Sequence, residues 1–456
     1  MKKQTAAVIL GSAVVMNLLA GCGGAQSQEQ SSQAGTGTAA VGEASGESGG
    51  QAGGTVTWWT WSTEATEAFA KQIEYAEAQN PNLDVDIQYT ANADFMAKLP
   101  VAIAGGTGPD IYQMTRPSFE LYAASGQAMD LTEAIAGSPK LQAYLDQLSP
   151  ELRETYQFNG KQMAIPFTIE STAIVYNKDL FEAAGLPDLK EIDDTWTWDD
   201  LQDLARQLTV KDENGETAQY GFYCAVDRLP TWELIWSRGV EMFNEDGSVC
   251  LLDQPEVAES LKPLVEMYQE GLSPSIDVTT TTSGDDIFIS GKIAMIPAGI
   301  WKVPSYNNIT AFEWDVAELP FDPVTGKRVS SSNVLGLFIN PNAKNYEGAV
   351  ALLEELVQPE CQKILADTHI YIPALEEVRG GYFEGDVPDN IEAYKNALDY
   401  IHPNTLTQYI PYAQFNQEVN DALKKAYNGE KTIEEAMAEA NDRINAVMEE
   451  NKAQFE

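Results

Sequence analysis

The chain has 456 residues, 44% of them hydrophobic, with 69 Asp and Glu against 28 Lys and Arg, a formal charge of −41 and a pI near 4.2. That hydrophobic share is normal for a globular protein, and the length suffices for two sizeable lobes. The acidic field repels DNA, RNA and anionic lipid headgroups, so nucleic acid is excluded as a partner; the charge is scattered rather than blocked, which reads as solubility and not as disorder.

At the N-terminus, Lys2 and Lys3 precede apolar runs at 6–10 and 13–16, broken by Gly11, Ser12 and Asn17. A basic start, an apolar middle and small residues at a cut site describe an export signal over 1–21, too short and too broken to span a bilayer. Leu19-Ala20-Gly21-Cys22 resembles the bacterial lipobox, in which the signal is cut before a cysteine that is then lipidated. The resemblance implies that Cys22 becomes the N-terminus and anchors the protein to the extracellular face of a bacterial cell membrane. A plain secretory signal with an incidental cysteine is the alternative. Residues 22–54 then form the lipidated cysteine and a flexible tether. From 23 on the tether is rich in Gly, Ser, Gln and Ala, cannot bury a core, and spans roughly 30 Å root-mean-square as a random coil.

Three cysteines remain, Cys224, Cys250 and Cys361. An odd number without C-x-x-C cannot complete a disulfide framework. A Cys224–Cys250 pair and three separate thiols both stay open.

Order begins at Thr55. The β-branched and aromatic run 55–61 predicts a strand. Ser62-Thr63-Glu64 offers a helix start, and Ala68, Phe69, Ile73 and Ala76 give helical spacing over 66–78. Asn80-Pro81-Asn82 stops that helix. A second strand is expected over 85–89, a second helix over 94–104, and a glycine turn leads into a third strand at 110–112. Strand, helix, strand, helix, strand implies a largely parallel sheet with covering helices. Ligands of such sheets sit beyond the carboxyl ends of strands. Ser62, Thr63 and Glu64 follow the first strand; Met114, Thr115 and Arg116 follow the third. A helix cap competes for Ser62, and a surface salt bridge competes for Arg116. Later strands are expected at 220–225 and 293–296, and helices at 344–365, 412–426 and 432–448.

The stretches GGTGPDIYQM and FELYAASGQAMDLT stand in the first half. Asn159 to Pro166, Ala173 to Phe181, Trp196 to Leu201, Ser290 to Trp301, Leu319-Pro320 and Asn428 to Ala436 follow in order. Together they resemble the extracellular solute-binding proteins of ABC importers, in the carbohydrate-binding family that includes maltose-binding protein. The resemblance covers nearly everything from Thr55 on. It implies an α/β, two-lobed, periplasmic-binding-protein-like fold of type II, with the ligand cleft between lobes. The implied lobes are 55–167 plus 333–375 and 168–332 plus 376–456. The implied partners are a carbohydrate ligand and the membrane subunits of an ABC permease, and a monomer is expected.

A pyranose has an apolar face and a rim of hydroxyls, so aromatic rings, carboxylates, amides and arginine are the groups to seek. Trp301 matches a stacking tryptophan of the family, with a core tryptophan as the bland alternative. Glu170 matches a glutamate that contacts sugar, with hinge structure as its alternative. Asp227 matches an acidic ligand position. Trp232 and Trp236 follow it, with buried packing as the competing reading. Glu64, Arg116, Asn333 and Tyr371 complete the candidates. Two departures stand out: Met114-Thr115-Arg116-Pro117-Ser118 replaces an aromatic residue and an acid–arginine pair of maltose-binding protein, and Phe415, Asn416 and Asn420 replace a tryptophan and an arginine on the last cleft helix. Maltose is therefore not transferred as the ligand.

Enzymatic readings find little. There are two histidines, and no H-E-x-x-H, G-x-S-x-G or Walker A, so no catalytic residue, cofactor or metal is called for. Asp212-Glu213-Asn214-Gly215 and Asn244-Glu245-Asp246-Gly247 resemble fragments of calcium loops but read better as turns. An extracellular carbohydrate-active hydrolase, or a surface sensor or adhesin on the same fold, is the alternative to capture.

Overall fold

The computed structural model describes residues 54–384, 388–404 and 406–453. The export signal, Cys22 and all of the tether but Gly54 lie outside them. Among the described residues no helix is long and apolar enough to cross a membrane.

The first strand runs Thr55–Thr60 and buries Val56, Trp58 and Thr60 by alternation. It pairs in parallel with Asp84–Tyr89 and Ile111–Thr115. Helices Thr66–Gln79 and Asn92–Ala104 make the crossovers, and Phe69, Ile73 and Ala76 turn into the core as their spacing demands.

The sheet has six strands, in the order Ile372–Pro373, Ile165–Ile169, Val334–Ile339, Ile111–Thr115, Thr55–Thr60, Asp84–Tyr89. It is mixed. Val334–Ile339 runs antiparallel to both neighbours, and Ile372–Pro373 runs antiparallel to Ile165–Ile169. The expected parallel order thus holds for the first three strands only, because the other three return from distant parts of the chain. The third strand also extends to Thr115. Met114 is therefore a fully buried strand residue rather than a group beyond its end, and only Arg116 lies past the strand.

A second sheet has the order Trp314–Ala317, Thr172–Asn177, Ile293–Gly299, Thr217–Phe222, Val210–Lys211. Every residue of Thr172–Asn177 is buried. Ala173 and Val175 join one apolar core while Ile174 and Tyr176 join the other, which is period-two alternation with both faces covered. The expected strand at 220–225 begins earlier and ends at Phe222. The expected helix at 344–365 divides into Tyr346–Leu356 and Pro359–Asp367, since Pro359 fits a first turn but not an interior one. The tail helices are Tyr412–Tyr427 and Ile433–Lys452, the latter opened by a Thr432–Glu435 capping box. Cys224, Cys250 and Cys361 are buried free thiols, so the Cys224–Cys250 pair is not formed. Both calcium-like fragments fold as turns, closed by Gly215 N–H to Asp212 C=O and by Gly247 N–H to Asn244 C=O.

The chain leaves the first sheet at Ile169 and enters the second at Thr172, passing through Glu170 and Ser171. It returns through Ser330–Ser332, which pairs in parallel with Ile401–Pro403, and re-enters the first sheet at Val334. Polar residues at these passages organise the site.

Candidate ligand-binding site

Beyond the first strand, Gln113 Nε2 donates to Ser62 Oγ at 2.7 Å. The Tyr371 hydroxyl lies 2.7 Å from Ser62 Oγ and also bonds the Glu64 carboxylate. One proton per hydroxyl orders this as a relay: Gln113 to Ser62, Ser62 to Tyr371, Tyr371 to Glu64. Tyr371 is buried, whereas Glu64 is exposed at the end of the relay. Burial, together with the Glu64 and Glu170 charges, holds the Tyr371 phenol well above its usual range, so it stays a donor.

Glu170 sits at the passage between sheets and is 5% exposed. Its N–H donates to Asn333 C=O at 2.9 Å, and Asn404 Nδ2 donates to Asn333 Oδ1 at 2.9 Å. Burial pushes the Glu170 carboxyl up to about 8; Arg228 and the Asn333 side chain oppose the rise, and the Glu64 charge adds to it. Glu170 therefore carries a proton at neutral pH and can donate to an oxygen as well as accept.

Trp301 follows the Ile293–Gly299 strand and is half-buried. Its ring lies against Gly299 so closely that a Cβ there would stand 1.8 Å from it. The Arg228 guanidinium lies 5.3 Å from the ring centroid, a cation–π arrangement. Arg228 Nη1 also donates to Ser331 Oγ at 2.9 Å. Beneath them Glu233, 1% exposed, accepts from Thr172 Oγ1 at 3.1 Å and from Ser331. Burial raises the Glu233 carboxyl against the pull of Ser331 and Arg228.

The structure thus links Trp301 to Arg228, Arg228 to Glu170, and Glu170 to Asn333 and to the charge of Glu64, which Tyr371 bonds. Arg116 heads the helix Arg116–Ala124, bonds Glu120 and lies 5.0 Å from the Phe119 ring centroid. It borders the cluster through Tyr156, a phenol that feels the charges of Arg116, Glu120 and Glu170. Asp227 is exposed and caps the helix Arg228–Ser237, accepting from Arg228 N–H at 2.7 Å and from Asn416 Nδ2 at 3.3 Å. Trp232 has no exposed surface. It packs against Trp236, Tyr412 and Phe415, so it supports the site from the second core rather than lining it. Phe415 is fully buried too, which leaves Asn416 as the polar neighbour of Asp227.

Sequence reasoning missed Arg228, Glu233, Ser331, Gln113 and Asn404. A buried arginine beside Asp227 was within sight. The others are common polar residues whose partners lie tens to hundreds of positions away. A cavity of about 590 Å³ is lined by Trp236, Glu241, Phe243 and Thr407 together with Glu120, the ion-pair partner of Arg116.

With that geometry in hand, known proteins are informative. A family profile described as bacterial extracellular solute-binding protein matches residues 43–363. A maltotriose-binding protein of Pyrococcus abyssi is 25% identical over 327 residues, covering 71% of this chain and 67% of that protein. A maltooligosaccharide ABC transporter solute-binding lipoprotein of Streptococcus pneumoniae strain R6 is 28% identical over 322 residues, covering 65% of this chain and 67% of the relative. Among solved structures, an ABC substrate-binding protein of Listeria monocytogenes in complex with cycloalternan superposes with a TM-score of 0.78 at 26% identity, over 86% of this chain and 98% of that one.

Proposed function

We infer that this chain, which belongs to the bacterial extracellular solute-binding proteins, captures a sugar or oligosaccharide between two α/β lobes and delivers it to an ABC importer. The observation that carries this reading is the meeting of a half-buried tryptophan, Trp301, with the protonated Glu170, the Glu64–Tyr371 relay and Arg228 at the passage between sheets. An aromatic face beside donors and acceptors fits the two surfaces of a pyranose. The ligands in the names of the relatives, maltotriose, maltooligosaccharide and cycloalternan, are all oligosaccharides.

The proposed lobes are 55–167 plus 333–375 and 168–332 plus 376–456. Glu170 and Asn333 then stand next to the crossings, where contacts from both lobes favour closure over a ligand by their differential affinity. Glu64, Arg116, Glu170, Asp227, Asn333, Tyr371 and Trp301 are the proposed ligand-facing set, with Arg228 added and Trp232 kept as support. We further propose that Cys22 carries a lipid anchor on the extracellular face of a bacterial membrane, that the chain acts as a monomer, and that permease subunits receive its ligand.

Capture proceeds without chemistry. A second reading has one observation in its favour: a proton-bearing Glu170 near an exposed Glu64 is the kind of carboxylate pair that glycoside hydrolysis uses. One experiment separates the two. Melting temperature is followed against a panel of mono- and oligosaccharides, amino acids, peptides and polyamines, and each mixture is then assayed for products. A rise with a sugar class and no product supports capture. In calorimetry Trp301→Ala then weakens that sugar about tenfold or more while the fold is kept. Sugar breakdown, or a rise only with another solute, overturns the reading.

A further inference from the structure

Glu233 lies within the helix Arg228–Ser237 and is 1% exposed, so its carboxyl does not face a ligand. Its Oε1 collects two hydroxyl protons, one from Ser331 and one from Thr172. A hydroxyl has one proton, so each of these oxygens is left to accept on its other side. Ser331 Oγ accepts from Arg228 Nη1 at 2.9 Å, and Thr172 Oγ1 accepts from Ser330 Oγ at 3.0 Å. The Thr172 N–H closes the second branch by donating to Ser330 Oγ at 2.8 Å. Thr172 opens the second sheet just past Glu170 and Ser171, and Ser330–Ser332 belongs to the returning segment. One carboxyl oxygen therefore holds both passages of the chain to the helix that carries Arg228.

Packing does not account for this residue. Glu233 Oε2 is buried without a hydrogen-bond partner, and a carboxyl so placed costs stability that an apolar side chain would not. Arg228 is 8% exposed and, among the described residues, forms no direct ion pair; the hydrogen bond that orients its guanidinium goes to Ser331. We propose that Glu233 is a positioning residue of the capture site: through Ser331 it holds Arg228 beside the ring of Trp301, and through Thr172 it fixes both passages in the same frame. This rests on the capture reading above and adds to it a residue that acts without touching the ligand. A Ser331 hydroxyl released from Glu233 is free to turn its proton toward Arg228, which breaks their bond and lets the guanidinium leave the ring.

The test labels the mature protein with 5-fluorotryptophan and reads the fluorine resonance of Trp301, assigned by its loss in Trp301→Phe. Arg228→Ala gives the position of that resonance without the cation. Glu233→Ala moves the resonance toward that position, and Ser331→Ala does the same from outside the helix. Glu233→Gln keeps the shape and an acceptor for both hydroxyls, and leaves the resonance near its wild-type place. Calorimetry begins with maltotriose and otherwise uses the panel sugar that most raises the melting temperature. Affinity falls about tenfold in Glu233→Ala and Ser331→Ala and recovers in Glu233→Gln. A Trp301 resonance that stays put in both alanine variants, with only the melting temperature lowered, overturns the proposal and leaves Glu233 a structural carboxyl. No recovery in Glu233→Gln overturns it too. If Glu233→Ala does not fold, Ser331→Ala decides. A wild type that binds no sugar overturns capture itself, and the resonance then decides separately whether Glu233 places Arg228.

Discussion

Glu170→Gln tests the protonation of the central carboxyl directly. In the folded protein this group titrates near 8, against an ordinary value of 4.5, and burial is the main cause. The sign follows from linkage. Between pH 4.5 and 8 the folded state holds a proton that the unfolded state has released, so stability falls as pH rises across that window. The span is about three and a half pH units at about 1.4 kcal/mol each, so the effect is on the order of 5 kcal/mol. Gln keeps the shape and the donor but cannot ionise. Urea denaturation of the ligand-free protein between pH 5 and pH 8.5 reads the difference. The wild type loses several kcal/mol more than the variant across the range, with the variant the more stable protein at the alkaline end. Every other titrating group is common to both and cancels. Parallel curves would refute a buried proton at Glu170, and with it the donor role assigned to that residue.

Two further expectations concern packing. Gly299→Ala places a methyl 1.8 Å from the Trp301 ring and must displace it, so sugar affinity falls about as far as in Trp301→Ala although the indole is retained; unchanged calorimetric affinity would remove Trp301 from the site. Burial pushes the Cys250 thiol up to about 12, and Cys224 and Cys361 higher still. All three should resist a thiol reagent at pH 8 until denaturant is added, and then react fully without prior reduction. A protein that needs reduction first would contain a disulfide the structure does not have.

The first three strands and their two helices were legible because each carries its own signal: alternating β-branched and aromatic residues at Thr55–Thr60, helical spacing from Ala68 to Ala76, and stops at Asn80-Pro81 and at the glycine turn before Asp110. The rest of that sheet was not, since Ile165–Ile169, Val334–Ile339 and Ile372–Pro373 join it from distant parts of the chain, and strand order across such separations has no local mark. Trp301 and Glu170 could be singled out from the ordered resemblance. Trp232 could not be sorted from Trp236 by type. One is sealed among Tyr412 and Phe415, and the other stacks on His402 and itself lines the cavity.

The sequence by itself determined the kind of object this is: an acidic, exportable, α/β chain with aromatic and carboxylate residues at strand ends and a family resemblance from Thr55 onward. Only the tertiary structure decided which of those residues act together. A hydrogen-bond relay from Gln113 to Glu64 by way of Tyr371 joins residues more than 250 positions apart. The proton on Glu170 exists because surrounding elements exclude water from it, and desolvation is a property of packing, not of residue type.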